Sequence, residues 1–326
     1  MSTKVLTPIT QALNDGALTR KELKALMARS DAPALIHFIL WYIVLLSTGF
    51  LIFLTQDHIW LLVPAMFLHG IVMVHHFSLQ HECTHYTPFK TRWLNDVFGN
   101  YCGFVIMLPH RHFRYEHCDH HTYTQLKGHD PEMIELPASL WGYLYYISSI
   151  PYWKAKFTEL FRHIFGQLSE DEKRFIPKSE YKTIFWEARL MALGYLSIFT
   201  ICLFNNWSAP LYYWIIPVIL GEPVMRAIRL TEHVGRPPIA DMKENTRTSL
   251  VSKPWQFLSW NMNYHAEHHY ASSVPFYALP KLHKKLDGYI HVEERGYLGA
   301  HIDIISQLIG LKPRADQNAK NNEQLG

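Results

Sequence analysis

No residue from 32 to 55 carries a formal charge, and none from 59 to 80 does. Each run exceeds the roughly 20 apolar residues that carry a helix across a bilayer. Only Gln56, Asp57 and His58 separate them, so together they predict a helical hairpin with spans at about 33–55 and 59–80. A second charge-free stretch covers 190–221 and is broken by Asn205, Asn206, Trp207, Ser208, Ala209 and Pro210. It holds two spans only if both helices reach beyond it, to about 184–204 and 208–230. That places Arg189, Glu222 and Arg226 at the membrane edge, where long side chains snorkel, and Pro223 predicts a kink in the fourth helix.

Orientation follows from Lys and Arg. None lies between Arg29 and Lys90 or between Arg189 and Arg226, so all 31 fall in segments 1–29, 90–189 and 226–326. The positive-inside rule makes these segments cytoplasmic, both termini included. About 30 mostly polar residues precede the first apolar run, which predicts no cleavable signal peptide. Two shorter aromatic-rich stretches, Trp93–Leu108 and Leu140–Trp153, read as interfacial or buried cytoplasmic helices. The tail 313–326 is polar and predicts disorder. Four cysteines form no paired framework, as expected of a reduced, cytosol-facing protein. A net charge of +3 gives no reason to expect nucleic acid as a partner. The expected fold is an all-α integral membrane protein with one domain over 1–326. Its two hairpins of four transmembrane helices carry a cytoplasmic helical cap.

Histidine is the compositional outlier, with 21 copies, and three clusters stand out. His81 and His85 form HxxxH; His117, His120 and His121 form HxxHH; His265, His268 and His269 form HxxHH again. On a helix, positions i, i+3 and i+4 share a face, so each cluster aims its imidazoles together. At this histidine content roughly 0.08 HxxHH windows are expected by chance, and two occur. All three clusters fall on the cytoplasmic side, where they can meet. Their eight imidazoles, with His233 as a candidate ninth, exceed the four ligands of a tetrahedral zinc. They suit two metals, and imidazole alone leaves iron, zinc and copper open. No carboxylate makes an obvious claim to the metal, and no catalytic residue is expected beyond the ligands.

His233 has a second reading, as a helix-end cap. Asp130 reads either as part of a turn with Pro131 and Glu132 or as the orienting partner of a ligand imidazole. Glu232, Asn263 and Glu267 are expected around the ligands. His69, His75 and His76 fit a core or supporting role. His110 and His112, with Arg111 and Arg114, predict a basic surface for lipid headgroups or an electron donor. His37, His58, His129, His163, His283, His291 and His301 read as structural. His81, Glu82 and His85 also spell HExxH, the zinc-protease motif, at a membrane edge. That reading leaves both HxxHH clusters unexplained. A metal transporter would hold its ligands inside the spans.

These residues resemble the membrane fatty acid desaturase superfamily. The resemblance runs from about Leu68 to Leu286 and rests on HECTHYTPFK at 81–90, HCDHHTYTQLKGHDPE at 117–132, TEHVG at 231–235 and NYHAEHHYASSVPFYALPKLH at 263–283. It implies metal-ligand roles for His81, His85, His117, His120, His121, His265, His268 and His269, with His233 as an extra ligand. It also implies two non-haem iron ions, O2 as co-substrate and an O2-dependent desaturase acting on a fatty acyl lipid. A related hydroxylase or ketolase acting on a lipid or carotenoid is the alternative. Three residues between the first pair of histidines, and His265 opening the third box, resemble the acyl-lipid branch. No HPGG haem signature is present, so the resemblance implies an external electron donor of ferredoxin or cytochrome type.

Overall fold

The computed structural model describes residues 7–317. Two short helices come first, α1 (Pro8–Asn14) and α2 (Arg20–Leu26). Thr19 and Glu22 cap α2 reciprocally, each side chain accepting from the other's backbone N–H. The first hairpin is α3 (Asp31–Thr55) and the rod formed by α4 (Ile59–Val74) and α5 (His76–Thr84). The cap begins with α6 (Arg92–Ile106), α7 (His110–Tyr123), α8 (Leu140–Ile147), α9 (Ile150–Ile164) and α10 (Glu170–Phe175). The second hairpin is α11 (Tyr181–Asn205) and α12 (Ile216–His233), the latter preceded by a π-helical turn over Leu211–Ile215. The cap closes with α13 (Met242–Asn245), α14 (Lys253–Leu258), α15 (His265–Tyr270), α16 (Leu279–His283) and α17 (Gly296–Leu308). Two dipeptide strands, β1 (Thr248–Ser249) and β2 (Val292–Glu293), pair in parallel and are the only strands among the described residues.

Among the described residues, four helices are long and apolar enough to cross a membrane: Asp31–Thr55, Ile59–Thr84, Lys178–Asn205 and Leu211–His233. The second and fourth run past the expected bounds of 80 and 230, so each delivers a histidine on its last turn. The rod breaks once, at His75, where imidazoles compete for the backbone. His75 Nδ1 bonds the Ile71 carbonyl and His76 Nδ1 the Met73 carbonyl, both at 2.6 Å. His69 bridges the hairpins, pairing with the Thr48 hydroxyl at 2.8 Å and the Tyr213 carbonyl of the π turn at 3.1 Å.

The core contact of the membrane half is α4 against α12. A Cβ on Gly70 would lie 2.1 Å from the Pro217 carbonyl oxygen, and one on Gly221 would lie 2.2 Å from that of Gly70. Small residues permit this approach, which suits a bilayer, where no hydrophobic effect drives helices together. α12 stays helical through Pro223.

Several expectations are corrected. Glu222 and Arg226 do not snorkel. Both are buried, with Arg226 Nε 2.7 Å from Glu222 Oε1 and its guanidinium 4.0 Å from the Tyr152 ring. Arg189 folds back to donate to the Ile164 carbonyl at 2.9 Å. Residues 313–317 of the expected disordered tail pack on the body. Arg314 donates to the Pro137 carbonyl at 3.1 Å, and Ala315 N–H donates to Gln307 Oε1 at 2.9 Å. Residues 318–326 lie outside the described residues. The stretches around Trp93 and Leu140 form helices too short to span, with Trp93 and Trp141 exposed.

Gly221→Ala should force α4 and α12 apart, at a cost of about 1–3 kcal/mol. Its thermal midpoint in detergent should fall clearly below that of Ile219→Ala, a change on an exposed position of the same helix.

Candidate metal centre

α5 ends at Thr84, so His81 sits in its last turn and His85 on its cap. α7 carries His117, His120 and His121, α12 ends at His233, and α15 opens on His265. The nine imidazoles gather into two groups. Donor nitrogens of His81, His85, His117, His121 and His268 lie within 4.8 Å of one another, as do those of His120, His233, His265 and His269. Each HxxHH box is divided between the groups. In α7 the i and i+4 rings join the five-membered group and the i+3 ring the other; in α15 the assignment is reversed.

Facing nitrogens are close. His117 and His121 Nε2 are 3.0 Å apart, His121 and His268 3.1 Å, His233 and His265 3.0 Å, and His265 and His269 3.0 Å. Donors at about 2.0–2.1 Å from one cation and at right angles around it stand about 3 Å apart. His81 is buried with neither ring nitrogen paired, and Nε2 of His85 and of His120 is also buried without a partner. Unpaired buried nitrogens are costly unless something accepts their lone pairs. The donor set and its spacing therefore fit metal ions.

Four of the outward nitrogens are held by a second layer. His117 Nδ1 meets Glu132 at 2.7 Å and His120 Nδ1 meets Asp130 at 2.8 Å. His269 Nδ1 pairs with the Thr124 hydroxyl at 3.2 Å, and His233 Nδ1 with the Asn245 carbonyl at 3.2 Å. An acceptor on Nδ1 fixes the tautomer that leaves the Nε2 lone pair facing inward. Arg229 ties this layer together by bonding both Glu132 and Glu232.

Burial and mutual repulsion between imidazoles hold His117, His121, His265, His268 and His269 well below the usual histidine range. Burial, with the charge of Arg114 adding to it, takes His85 down to about 3. These rings are neutral, as metal ligation requires. His120 moves the other way: burial opposes its charge, and the Asp130 carboxylate outweighs burial.

The supporting residues expected from sequence divide. Asp130 contacts a cluster histidine directly. Glu232 lies with Oε2 3.8 Å from His265 Nε2, on the donor side of that ring. Asn263 donates to the Ser249 carbonyl at 3.0 Å and Glu267 bonds Thr248 and His283; these bonds brace the backbone and reach no cluster imidazole. Glu132, which the sequence offers only as part of a turn, holds His117, and an acidic side chain just after a histidine box is the signal that points to this role.

Glu82 is buried and accepts from the Thr87 hydroxyl and the Phe276 N–H, both at 3.0 Å. Its Oε1 lies 3.6 Å from Nδ1 of His268, behind the ring, where a zinc-protease base has no access to metal-bound water.

His110 and His112 are not a basic surface, since both are buried. His112 lies 3.4 Å from Glu159 and 3.3 Å from Glu172, which also accepts from His163 at 2.8 Å. Burial opposes its charge, but the two carboxylates overcome this and raise it from 6.5 to about 9. This ion-paired cluster locks α7 to α9 and α10.

A profile of the family described as fatty acid desaturase matches residues 57–297. Three relatives called sn-1 oleoyl-lipid 12-desaturase are similar to this chain. That of Arthrospira platensis is 22% identical, with 72% of each chain covered. That of Anabaena variabilis is 21% identical over 72% of this chain and 73% of its own. That of Picosynechococcus is 22% identical over 70% and 69%.

Two predictions follow from this geometry. Asp130→Asn should lower metal affinity about 10–100-fold, read by chelator titration, while leaving the protein folded. A histidine whose folded value is raised contributes stability in full below its unfolded value and loses it as pH rises through the folded one. The His112 contribution, on the order of 3 kcal/mol, is therefore complete below 6.5 and fades towards about 9. The thermal midpoint in detergent should fall across that window, and His112→Gln should remove that part of the decline.

The matched profile covers most of the chain, including all nine clustered histidines and both membrane hairpins apart from α3, and the chain belongs to the fatty acid desaturase family.

Proposed function

We propose that the nine imidazoles hold two iron ions, five nitrogens on one and four on the other, and that the enzyme desaturates an acyl chain carried on a membrane lipid. The observation that carries this reading is the reciprocal division of the two HxxHH boxes between the two donor groups. When bound, the iron pair supplies O2 reduction coupled to removal of two hydrogens from neighbouring CH2 groups.

The chain's own residues do the rest. Asp130, Glu132, Thr124 and the Asn245 carbonyl hold the Nδ1 atoms of His120, His117, His269 and His233, which fixes the direction of these four rings. Burial favours the neutral form of His85, His117, His121, His265, His268 and His269 and excludes bulk water. A hydrocarbon has no polar handle near the reacting carbon, so the shape of the apolar lining and the anchoring of the headgroup set the position of attack. The names of the three relatives support an oleoyl lipid as the substrate class. The Lys and Arg distribution supports termini and metal centre on the cytoplasmic side, in a single domain over 1–326. Electrons come from a separate donor of ferredoxin or cytochrome type.

Purified protein should carry two irons per chain. His121→Ala strikes the five-nitrogen group and His120→Ala the four-nitrogen group. Each should lower iron to about one per chain or less and turnover by at least about 100-fold. Expression in a host lacking the activity, followed by mass spectrometry of total lipids, should reveal new unsaturation. A hydroxyl or keto product, or one zinc in place of two irons, would overturn the reading.

A further inference from the structure

We propose that a groove between α11 and α12 receives the acyl chain of the substrate lipid from the bilayer, and that Phe77 and Phe113 form the gate through which it reaches the imidazoles. The inference rests on the desaturase reading and names a route for the substrate.

The groove has a volume of about 680 Å³, within the roughly 300–1,000 Å³ of ordinary ligand sites. Ile198, Phe199 and Leu203 of α11 form one wall, and Leu211, Trp214 and Ile219 the other. α11 is clasped near its middle. The Tyr195 hydroxyl donates to the Phe104 carbonyl at 2.6 Å, and a Cβ on Gly194 would sit 2.8 Å from the Phe104 ring. Past that clasp, Phe199 and Leu203 are 60% and 62% exposed although they line the groove. Apolar surface between two membrane spans is filled by hydrocarbon, so the occupant is a chain of CH2 groups.

The opposite wall is the π turn, a geometry common at functional sites. Trp214 pins it by donating to the Val105 carbonyl at 2.7 Å. At the cytoplasmic end Trp153 carries a buried indole N–H without an acceptor, which an ester oxygen of the lipid satisfies.

The base of the groove leads towards the metal centre. Val105 and Ile106 line it and also belong to an apolar cluster with Leu108, Phe113 and Phe77. Met107, in the left-handed region at φ 57°, ends α6 there and turns the chain between groove and cluster. The Phe77 and Phe113 rings are 5.5 Å apart; the first lies 5.9 Å from the His81 ring and the second 5.3 Å from the His117 ring. A single apolar layer thus stands between a bilayer-facing groove and the five-nitrogen group.

The test uses iron-loaded, full-length protein in phosphatidylcholine vesicles containing phosphatidylcholine with a diazirine on its oleoyl chain. Irradiation and peptide mass spectrometry should place the label within 195–219. Ile198→Trp should reduce that label and raise KM for the lipid about tenfold, with kcat within about twofold of wild type and iron content unchanged. Leu196→Trp, on the same helix but outside the groove, should match wild type in both readouts. Phe113→Trp should slow turnover while the groove is still labelled. Absence of label from the groove, or a wild-type KM for the lipid in Ile198→Trp, overturns the proposal; in the second case the occupant is a bystander lipid. Labelling is read without turnover. A labelled groove in a protein that converts no lipid therefore defeats the desaturase reading and leaves the lipid site standing.

Discussion

Nine imidazoles are withdrawn from water into one small volume, and the remainder of the cap is arranged to make that tolerable. A buried ring needs a partner for each nitrogen, and a cluster of them cannot carry protons without repelling itself. The inward nitrogens fit metal ions. The outward ones need acceptors, and these come from segments of little regular structure. The stretch after α7 supplies Thr124, Asp130 and Glu132, and the stretch after α12 supplies the Asn245 carbonyl. This explains why such loops are buried. Asp130 accepts a second bond, from the Gln125 N–H at 2.8 Å, and the Asn245 side chain donates to the Thr124 carbonyl at 2.9 Å. The loops brace one another as they brace the rings.

The membrane half serves the same end. α4 and α12 touch at Gly70 and Gly221, and their extensions deliver His81, His85 and His233 beside α7 and α15. An error in that helix contact is carried along two rigid rods to the donor nitrogens. The ionic cluster of His112, Glu159 and Glu172 fixes α7 from the far side, so the helix that feeds both donor groups is gripped at each end.

The spans were legible because bilayer thickness imposes a length and a charge rule that any sequence must obey. The three histidine clusters were legible because their spacing repeats. What escaped depends on distant partners. Arg226 looks like a snorkelling residue until Glu222 and the Tyr152 ring are seen beside it. His112 sits among arginines in sequence, yet its fate is decided by Glu159 and Glu172 on helices far along the chain. Asn263 and Glu267 flank clustered histidines in the sequence, and that position suggests support for them. Adjacent positions on a helix point about 100° apart, and Glu267 accordingly bonds Thr248 and His283.

The same angular arithmetic explains why an HxxHH box serves two metals better than one. At about 100° per residue, i+4 lies roughly 40° from i, whereas i+3 lies roughly 60° to the other side. The i and i+4 rings therefore reach one point, and the i+3 ring leans towards another. Two such helices face to face satisfy both points only if each contributes its pair where the other contributes its single ring. α7 and α15 are arranged in this way. The first box, an i and i+4 pair alone, can join only one group, and it completes the set of five. His233, one ring at a helix end, completes the set of four. The spacing written in the sequence thus already contains two centres, and the mutual direction of the helices, which no spacing reveals, decides how the rings are shared.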